Sequence, residues 1–291
     1  MKTSLADNDS SLRFLFEALD IRGESVKLKN ALAELAGSHE YSPSVRELLG
    51  EFAAAAVLIS NNLKYDGRII LQARSQSALT LVMVECSSDL KIRGIARGDI
   101  GAVSEAPFTL IDGGQLVITI EREGGQRYQG IVAVDAASLA ESLDSYFQQS
   151  EQLNTRFWLA SDGENAAGMM LQQLPAQIQQ SAEHRQNQWQ EVMLLADTIT
   201  TKEQLELPSE QVLHRLFHEY PVRTFEPKNV IFHCSCSRER SLNALTTLSP
   251  GELEDIFVEQ GSVDMTCEMC GTPYQFERKD IPGLAEPPIL H

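Results

Sequence analysis

Basic residues are scarce in this chain. Its 291 residues include 24 Lys and Arg against 41 Asp and Glu, a formal net charge of −17. Phosphate backbones and anionic membranes attract basic surfaces, so this balance argues against nucleic acid or membrane as a partner. Long apolar runs are missing too: the most apolar helix candidate, 52–60, is far too short to span a bilayer. The opening residues MKTSLADNDSS lack the apolar stretch of a secretory signal. A reducing cytoplasm is therefore expected, where thiols persist as metal ligands. Neither a Ser/His/Asp constellation nor a phosphate-cradling glycine loop stands out, and Gly113-Gly114 reads as a hairpin turn. Cysteine is also rare, with five in all.

Four of the five cysteines nevertheless lie within 37 residues. Cys234 and Cys236 form a C-x-C pair, and Cys267 and Cys270 form a C-x-x-C pair after 30 intervening residues. Two close pairs suit tetrahedral zinc, which takes four thiolates at about 2.3 Å. Gly271 follows the second pair, where a metal knuckle often requires positive φ. Packing and a secreted disulfide pair are the alternatives, and His233 is a possible substitute for one thiolate, though a neighbour's role suits it better. Cys86 sits alone in an apolar run and reads as a sheet residue. Residues 231–291 hold four Lys and Arg against ten Asp and Glu, or 4 − 10 = −6, so the thiol-rich tail is acidic as well.

The expected fold is α+β: a mostly antiparallel sheet with packed helices, a helical linker and a small C-terminal four-cysteine zinc domain. Residues 10–19 place Leu12, Leu15, Phe16 and Leu19 on one helical face, after which 20–24 break the pattern. Helices are expected near 28–36 and 44–60, the second with Pro43 at its start. From Tyr65 the period becomes two, giving strands at 68–73, 78–85, 91–96, 108–112, 115–121 and 127–135. A helix over 138–152 and strands at 155–160 and 168–173 close a core domain, 1–175. A glutamine-rich stretch, 176–190, has few aliphatics. Helical stripes then return with Trp189, Val192, Met193, Ala196 and Ile199, and again with Val212, Leu213, Leu216 and Phe217. Residues 176–230 read as a linker that needs a partner surface, because short isolated helices are marginal in water. In the last region, 231–291, Ser249-Pro250-Gly251-Glu252 is a capping box that starts a helix with Leu253, Ile256 and Phe257 inward and Gly261 at its end.

The cysteine pattern, together with Ser237-Arg238-Glu239-Arg240, resembles the redox-regulated 33-kDa heat-shock protein family of bacterial holdase chaperones. The resemblance extends upstream through Arg93-Gly94-Ile95-Ala96-Arg97, Tyr128-Gln129-Gly130, Asp144-Ser145-Tyr146-Phe147, Ser150-Glu151-Gln152 and Ala167-Gly168-Met169. Asn154 departs from it, standing where the family has Pro. The resemblance implies one zinc per chain, held by Cys234, Cys236, Cys267 and Cys270 in a reduced, inactive state. It implies that peroxide or hypochlorous acid forms disulfides Cys234–Cys236 and Cys267–Cys270, releases zinc, and unfolds the linker and zinc domain. The ATP-independent holdase then dimerises, binds unfolding proteins through its core domain and passes them to ATP-dependent chaperones. No enzymatic activity is implied.

Two other functions fit parts of the pattern. A zinc ribbon contacting RNA or ribosomes is one, with Arg238 and Arg240 on phosphate. A thiol-disulfide oxidoreductase using Cys267 and Cys270 is the other, although that chemistry usually sets C-x-x-C at a helix N-terminus.

Overall fold

A computed structural model of the chain describes residues 8–62, 66–150, 153–176 and 181–281. Its first element corrects the sequence reading. Residues 10–19 are not a helix: β1 (Ser10–Phe16) buries Leu12, Phe14 and Phe16 and exposes Arg13. The alternation of those three large side chains matches the pleat, and their aromatic character suits a strand. The supposed break at 20–24 opens β2 (Ile21–Leu28), hydrogen-bonded to β1 on one side. The polar residues of β2 hid it. Glu24, Ser25 and Lys27 are buried because each has a partner: Ser11 and Asn61 for Glu24, Ser209 for Ser25, and the Gln204 carbonyl for Lys27.

After α1 (Asn30–Ala36), α2 (Pro43–Ser60) is capped by Ser42, whose side chain accepts from the Val45 amide. Pro43 lies in its first turn, where a missing N–H costs nothing. Ala53 to Ala56 are all buried, so their small side chains let the helix run between two sheets. The next strands are β3 (Gly67–Arg74), β4 (Leu79–Ser87), β5 (Lys91–Gly98), β6 (Gln115–Arg122) and β7 (Arg127–Ala133). The expected strand at 108–112 is instead a short 3-10 turn, Pro107–Ile111. Proline favours a turn's first position, and the Thr109 amide and hydroxyl both donate to the Ala106 carbonyl. Gly113, at φ 66°, then leads into β6.

Helix α3 (Leu139–Ser150) buries Leu139, Leu143 and Tyr146; the expected residues 151–152 lie outside those described. Strands β8 (Thr155–Ser161) and β9 (Ala166–Gln173) follow. Helix α4 (Ala182–Ala196) starts at the Ser181 cap, within the glutamine-rich stretch, of which 177–180 lie outside the described residues. Helix α5 (Thr201–Glu206) went unforeseen although Thr200 and Glu203 form a capping box, and α6 (Ser209–Phe217) follows it. Short strands β10 (Val222–Thr224), β11 (Lys228–Asn229) and β12 (Ile231–Phe232) complete the first unit, residues 1–233.

The strands form two six-stranded sheets. The first runs β10-β1-β2-β9-β8, with β11 also on β1, and the second runs β12-β5-β4-β3-β6-β7. Every pairing in them is antiparallel except that of β12 with β5. The α+β class therefore stands, its strands divided between two sheets around α2. The main core fills the space around α2, while a second cluster joins Phe14, Phe16, Ile21 and Leu171 to α4 and α6.

The second unit, residues 234–291, contains α7 (Arg238–Leu245), α8 (Pro250–Gln260) and the hairpin of β13 (Val263–Thr266) with β14 (Pro273–Phe276). Helix α8 has the capping box expected of Ser249 and Glu252, and Gly261 ends it in the left-handed conformation.

Candidate metal centre

Each half of the site is built by local chain geometry. At the first pair, the Arg240 Nη1 donates to the Ser235 carbonyl (2.7 Å) and hydroxyl (2.8 Å), fixing the residue between Cys234 and Cys236. Ser237 then accepts the Arg240 amide and caps α7. The second pair forms the turn of the β13–β14 hairpin. There the Gly271 amide donates to the Cys267 carbonyl at 2.8 Å, and the Cys267 amide donates to the Thr272 carbonyl at 2.9 Å. Gly271 has φ 68°, the value its position after the knuckle called for.

These turns bring the four sulfurs of Cys234, Cys236, Cys267 and Cys270 within 4.8 Å of one another. The Cys234–Cys267 separation is 3.7 Å and the Cys236–Cys270 separation is 3.4 Å. A tetrahedron of sulfurs about 2.3 Å from its centre has edges of about 3.8 Å, so the donor set and its spacing fit zinc. His233 lies in the first unit, where its amide donates to the Ile92 carbonyl.

The surroundings treat these sulfurs unequally. The Tyr274 hydroxyl donates to the Cys236 Sγ at 3.1 Å, and the Thr272 hydroxyl lies 3.1 Å from the Cys270 Sγ. Burial pushes the Cys234 thiol up to about 12 and also raises Cys267. At Cys270 burial acts upward as well, but the Thr272 hydroxyl and amide prevail and bring it to about 6. One sulfur ionises readily while two of its neighbours resist, because burial disfavours their charged form. A divalent cation resolves that conflict by stabilising all of them as anions.

Sequence reasoning missed Thr272 and Tyr274, although both follow directly after the second pair. The rival RNA-binding reading set Arg238 and Arg240 on phosphate; here both side chains are engaged within their own unit. Arg238 donates to the Gln275 carbonyl and Asp280 and lies over the Phe276 ring at 4.5 Å, so both arginines bind this unit's own groups. The C-x-x-C pair sits in a β-hairpin rather than at a helix start, which removes the usual means of activating a catalytic thiol. Cys86 is buried in β4, and burial pushes its thiol up to about 12, an inert state.

A second feature lies in the first unit. Trp189 and Val192 of α4 and Leu213, Leu216 and Phe217 of α6 cover an apolar sheet face that includes Phe14, Phe16, Met169 and Leu171. Phe217 meets Phe16 edge-on at 5.0 Å. Polar bonds also tie the cover down, among them Trp158 Nε1 to Asp197 (3.0 Å), Gln204 Nε2 to the Trp158 carbonyl (2.7 Å) and Arg185 to Asp20 (3.1 Å). Among the described residues no helix is long and apolar enough to cross a membrane.

Comparison with known proteins agrees with this arrangement. The chain is 47% identical to a 33 kDa chaperonin of Pseudomonas paraeruginosa, covering 96% of this chain and 95% of that protein. It is 48% identical to a protein of the same name from Ectopseudomonas mendocina, covering 95% of each. The crystal structure of a 33 kDa chaperonin, a heat shock protein 33 homologue from Thermotoga maritima, superposes with a TM-score of 0.80 at 21% identity, covering 95% of this chain and 97% of the other. The family model described as Hsp33 protein matches residues 9–277, and the chain belongs to that family.

Proposed function

We propose that this heat-shock chaperone is a redox-gated holdase, dormant while its four sulfurs are reduced and active once they are paired. The observation that carries the reading is four sulfurs within 4.8 Å in a unit whose apolar cluster has, among the described residues, six buried members. Bound zinc supplies a divalent charge that holds four thiolates together and links the two knuckles. Each pair of thiolates, on meeting one peroxide, forms one S–S bond and passes two electrons to the peroxide, which takes up two protons from the solvent and leaves as two waters. The paired sulfurs are no longer anionic donors, so the knuckles lose their common centre and the unit loses its main support.

On this reading residues 231–291 sense the oxidant and 176–230 are the releasable cover. The core, 1–175, presents the uncovered apolar face to unfolding proteins in the cytoplasm. Exposure of such a face also accounts for a homodimer in the oxidised state, with clients later passed to ATP-dependent chaperones. The protein acts stoichiometrically; catalytic turnover of a dithiol substrate, or salt-steep RNA binding, would point to the rival functions instead.

The decisive experiment follows zinc release, free-thiol count and suppression of client aggregation in one oxidised sample. All three should change together, and protection that is equal before and after peroxide would sink the proposal. Timed quenching with disulfide mapping gives the order of events. Cys267–Cys270 should pair first, because a C-x-C disulfide demands a local bend to bring its Cα atoms within about 7 Å. Early Cys234–Cys236, or bonds between the two knuckles, would contradict that order.

A further inference from the structure

The first unit encloses a cavity of about 630 Å³ that the redox reading does not use. It opens between the two sheets, beside the end of α2 and the face of α3. Its volume falls in the range of small-molecule sites, roughly 300–1,000 Å³. Ile59, Ile118 and Met170 are buried in its lining, and Ile120 and Phe147 line it from partly buried positions.

The polar part of the lining is unusual for this protein. The chain carries a net charge of −17, yet among the described residues those lining the cavity include three arginines, Arg22, Arg122 and Arg127, and no Asp or Glu. Arg127 is partly neutralised by Glu121 at 3.5 Å. Arg22 is different. Its Nε and Nη2 both donate to the Gln172 Oε1, at 3.0 and 2.5 Å, and the Gln172 Nε2 donates to the Thr155 hydroxyl at 2.9 Å. A neutral amide therefore orients this half-buried guanidinium without cancelling its charge, and uses two of its five N–H donors. Burial and nearby Arg13 lower the Arg22 pKa, opposed by Glu24 on the same strand, whose own carboxylate is held by Ser11, Asn61 and Asn62. A desolvated cation beside an apolar chamber is stabilised by an anion that brings its own apolar body.

We propose that this cavity binds a single-chain amphiphilic anion, a fatty acid, with its carboxylate on Arg22 and its chain over Ile118, Ile120 and Met170. A small hydrophilic anion would leave the apolar lining unfilled. A cationic amphiphile would meet the Arg22 guanidinium, which is held by a neutral amide rather than by a carboxylate.

The test titrates the reduced full-length chain with sodium dodecanoate, kept below its micelle concentration, by calorimetry. Methyl-labelled methionine spectra run in parallel, with the Met170 signal assigned through Met170→Leu. The expected result is one saturable site, a shifted Met170 methyl, and no competition from dodecyltrimethylammonium. Arg22→Gln should weaken binding about tenfold, the effect of one charge-assisted hydrogen-bonding partner. Ile120→Trp, on a partly buried wall, should abolish binding by filling the chamber while leaving Arg22 in place. Thermal melts identify a variant that fails to fold, in which case the other carries the test. No saturable binding, equal affinity for the cationic amphiphile, or an unmoved Met170 methyl would each overturn the proposal; the last two would mark general adsorption to apolar surface.

Discussion

The two units of this chain fold for different reasons. The first places Phe14, Phe16, Phe52 and Phe217 among its largest fully buried side chains, within two apolar clusters that hold a long helix between sheets. The second, among the described residues, gathers Leu245, Leu253, Phe257, Val263, Phe276 and Ile281 as its buried apolar side chains. So small a core rarely suffices alone, and natural domains of that size add disulfides or a metal. An oxidant does little to Phe52 and its neighbours but changes the chemistry of every sulfur at the second unit's centre. On the proposed reading, one chemical signal dismantles the second unit and frees the cover, while α2 and the two sheets around it stand.

The widest test of that contrast is metal removal. Structural zinc contributes roughly 10–16 kcal/mol of apparent folding free energy in zinc-finger peptides. Chelation, or Cys267→Ser with Cys270→Ser, should erase amide protection over 238–276 and leave protection over 45–60 and 67–98 intact in hydrogen exchange. Persistent protection in α8 and the β13–β14 hairpin would show that the small core suffices without its sulfur centre. The converse test is Phe52→Ala, in a helix packed on both sheets. Truncating a buried phenylalanine costs about 3–5 kcal/mol. The denaturant midpoint of the first unit should fall accordingly, while zinc affinity and thiol reactivity stay at wild-type values.

Acidity separates the units more gently. Burial pushes Glu24 from 4.5 to about 7, although hydrogen bonds from Ser11 and Asn61 and the charges of Arg13 and Lys228 act the other way. A carboxyl whose folded pKa is raised binds its proton more tightly in the folded state. Its stabilisation is complete below 4.5 and is lost as pH rises to about 7. The contribution is at most about 3 kcal/mol. Burial raises Glu51 and Asp144 to about 7 as well, in the same direction. Glu24→Gln should therefore flatten, without removing, the decline in the first unit's urea midpoint across that window; an unchanged slope would rule out Glu24 as a contributor.

The legibility of the sequence divides along a related line. The clustering of the four cysteines could be read because its information is local: two short turns, Gly271 and the Ser249 box each specify their own geometry. The hairpins of the second sheet could be read for the same reason, through alternation and Gly124. The first sheet could not. Strand β2 owes its place to Gln204 and Ser209, which reach Lys27 and Ser25 from far along the chain. No local pattern announces such partners, so residues 20–24 looked like a break and no strand was expected there. β1 failed more narrowly, because Leu15 and Leu19 mimic a helical stripe with Leu12 and Phe16 while Phe14 carries the true alternation. Around the sulfurs, Tyr274 escaped notice because only the hairpin register brings its hydroxyl to Cys236.

The smallest expected effect probes the second unit from its far side. Ser249 contributes nothing to the sulfur cluster; its hydroxyl accepts the Glu252 amide at 3.3 Å, and the Glu252 carboxylate accepts the Ser249 amide at 2.9 Å. The same bonds lower the Glu252 pKa, as expected for a carboxylate at a helix start. Removing such a cap costs about 1 kcal/mol. In a domain that folds by itself, the loss would appear as lower stability with unchanged metal affinity. Where metal binding and folding are one equilibrium, the same loss must appear as weaker zinc, about fivefold for Ser249→Ala. A competition titration against a zinc chelator reads that difference, with Ser138→Ala, at the start of α3 in the first unit, as the matched control that should leave zinc affinity unchanged. Equal zinc affinity in Ser249→Ala and wild type would mean that α8 forms before the sulfurs are gathered, and the second unit's dependence on its metal would then be confined to the two knuckles.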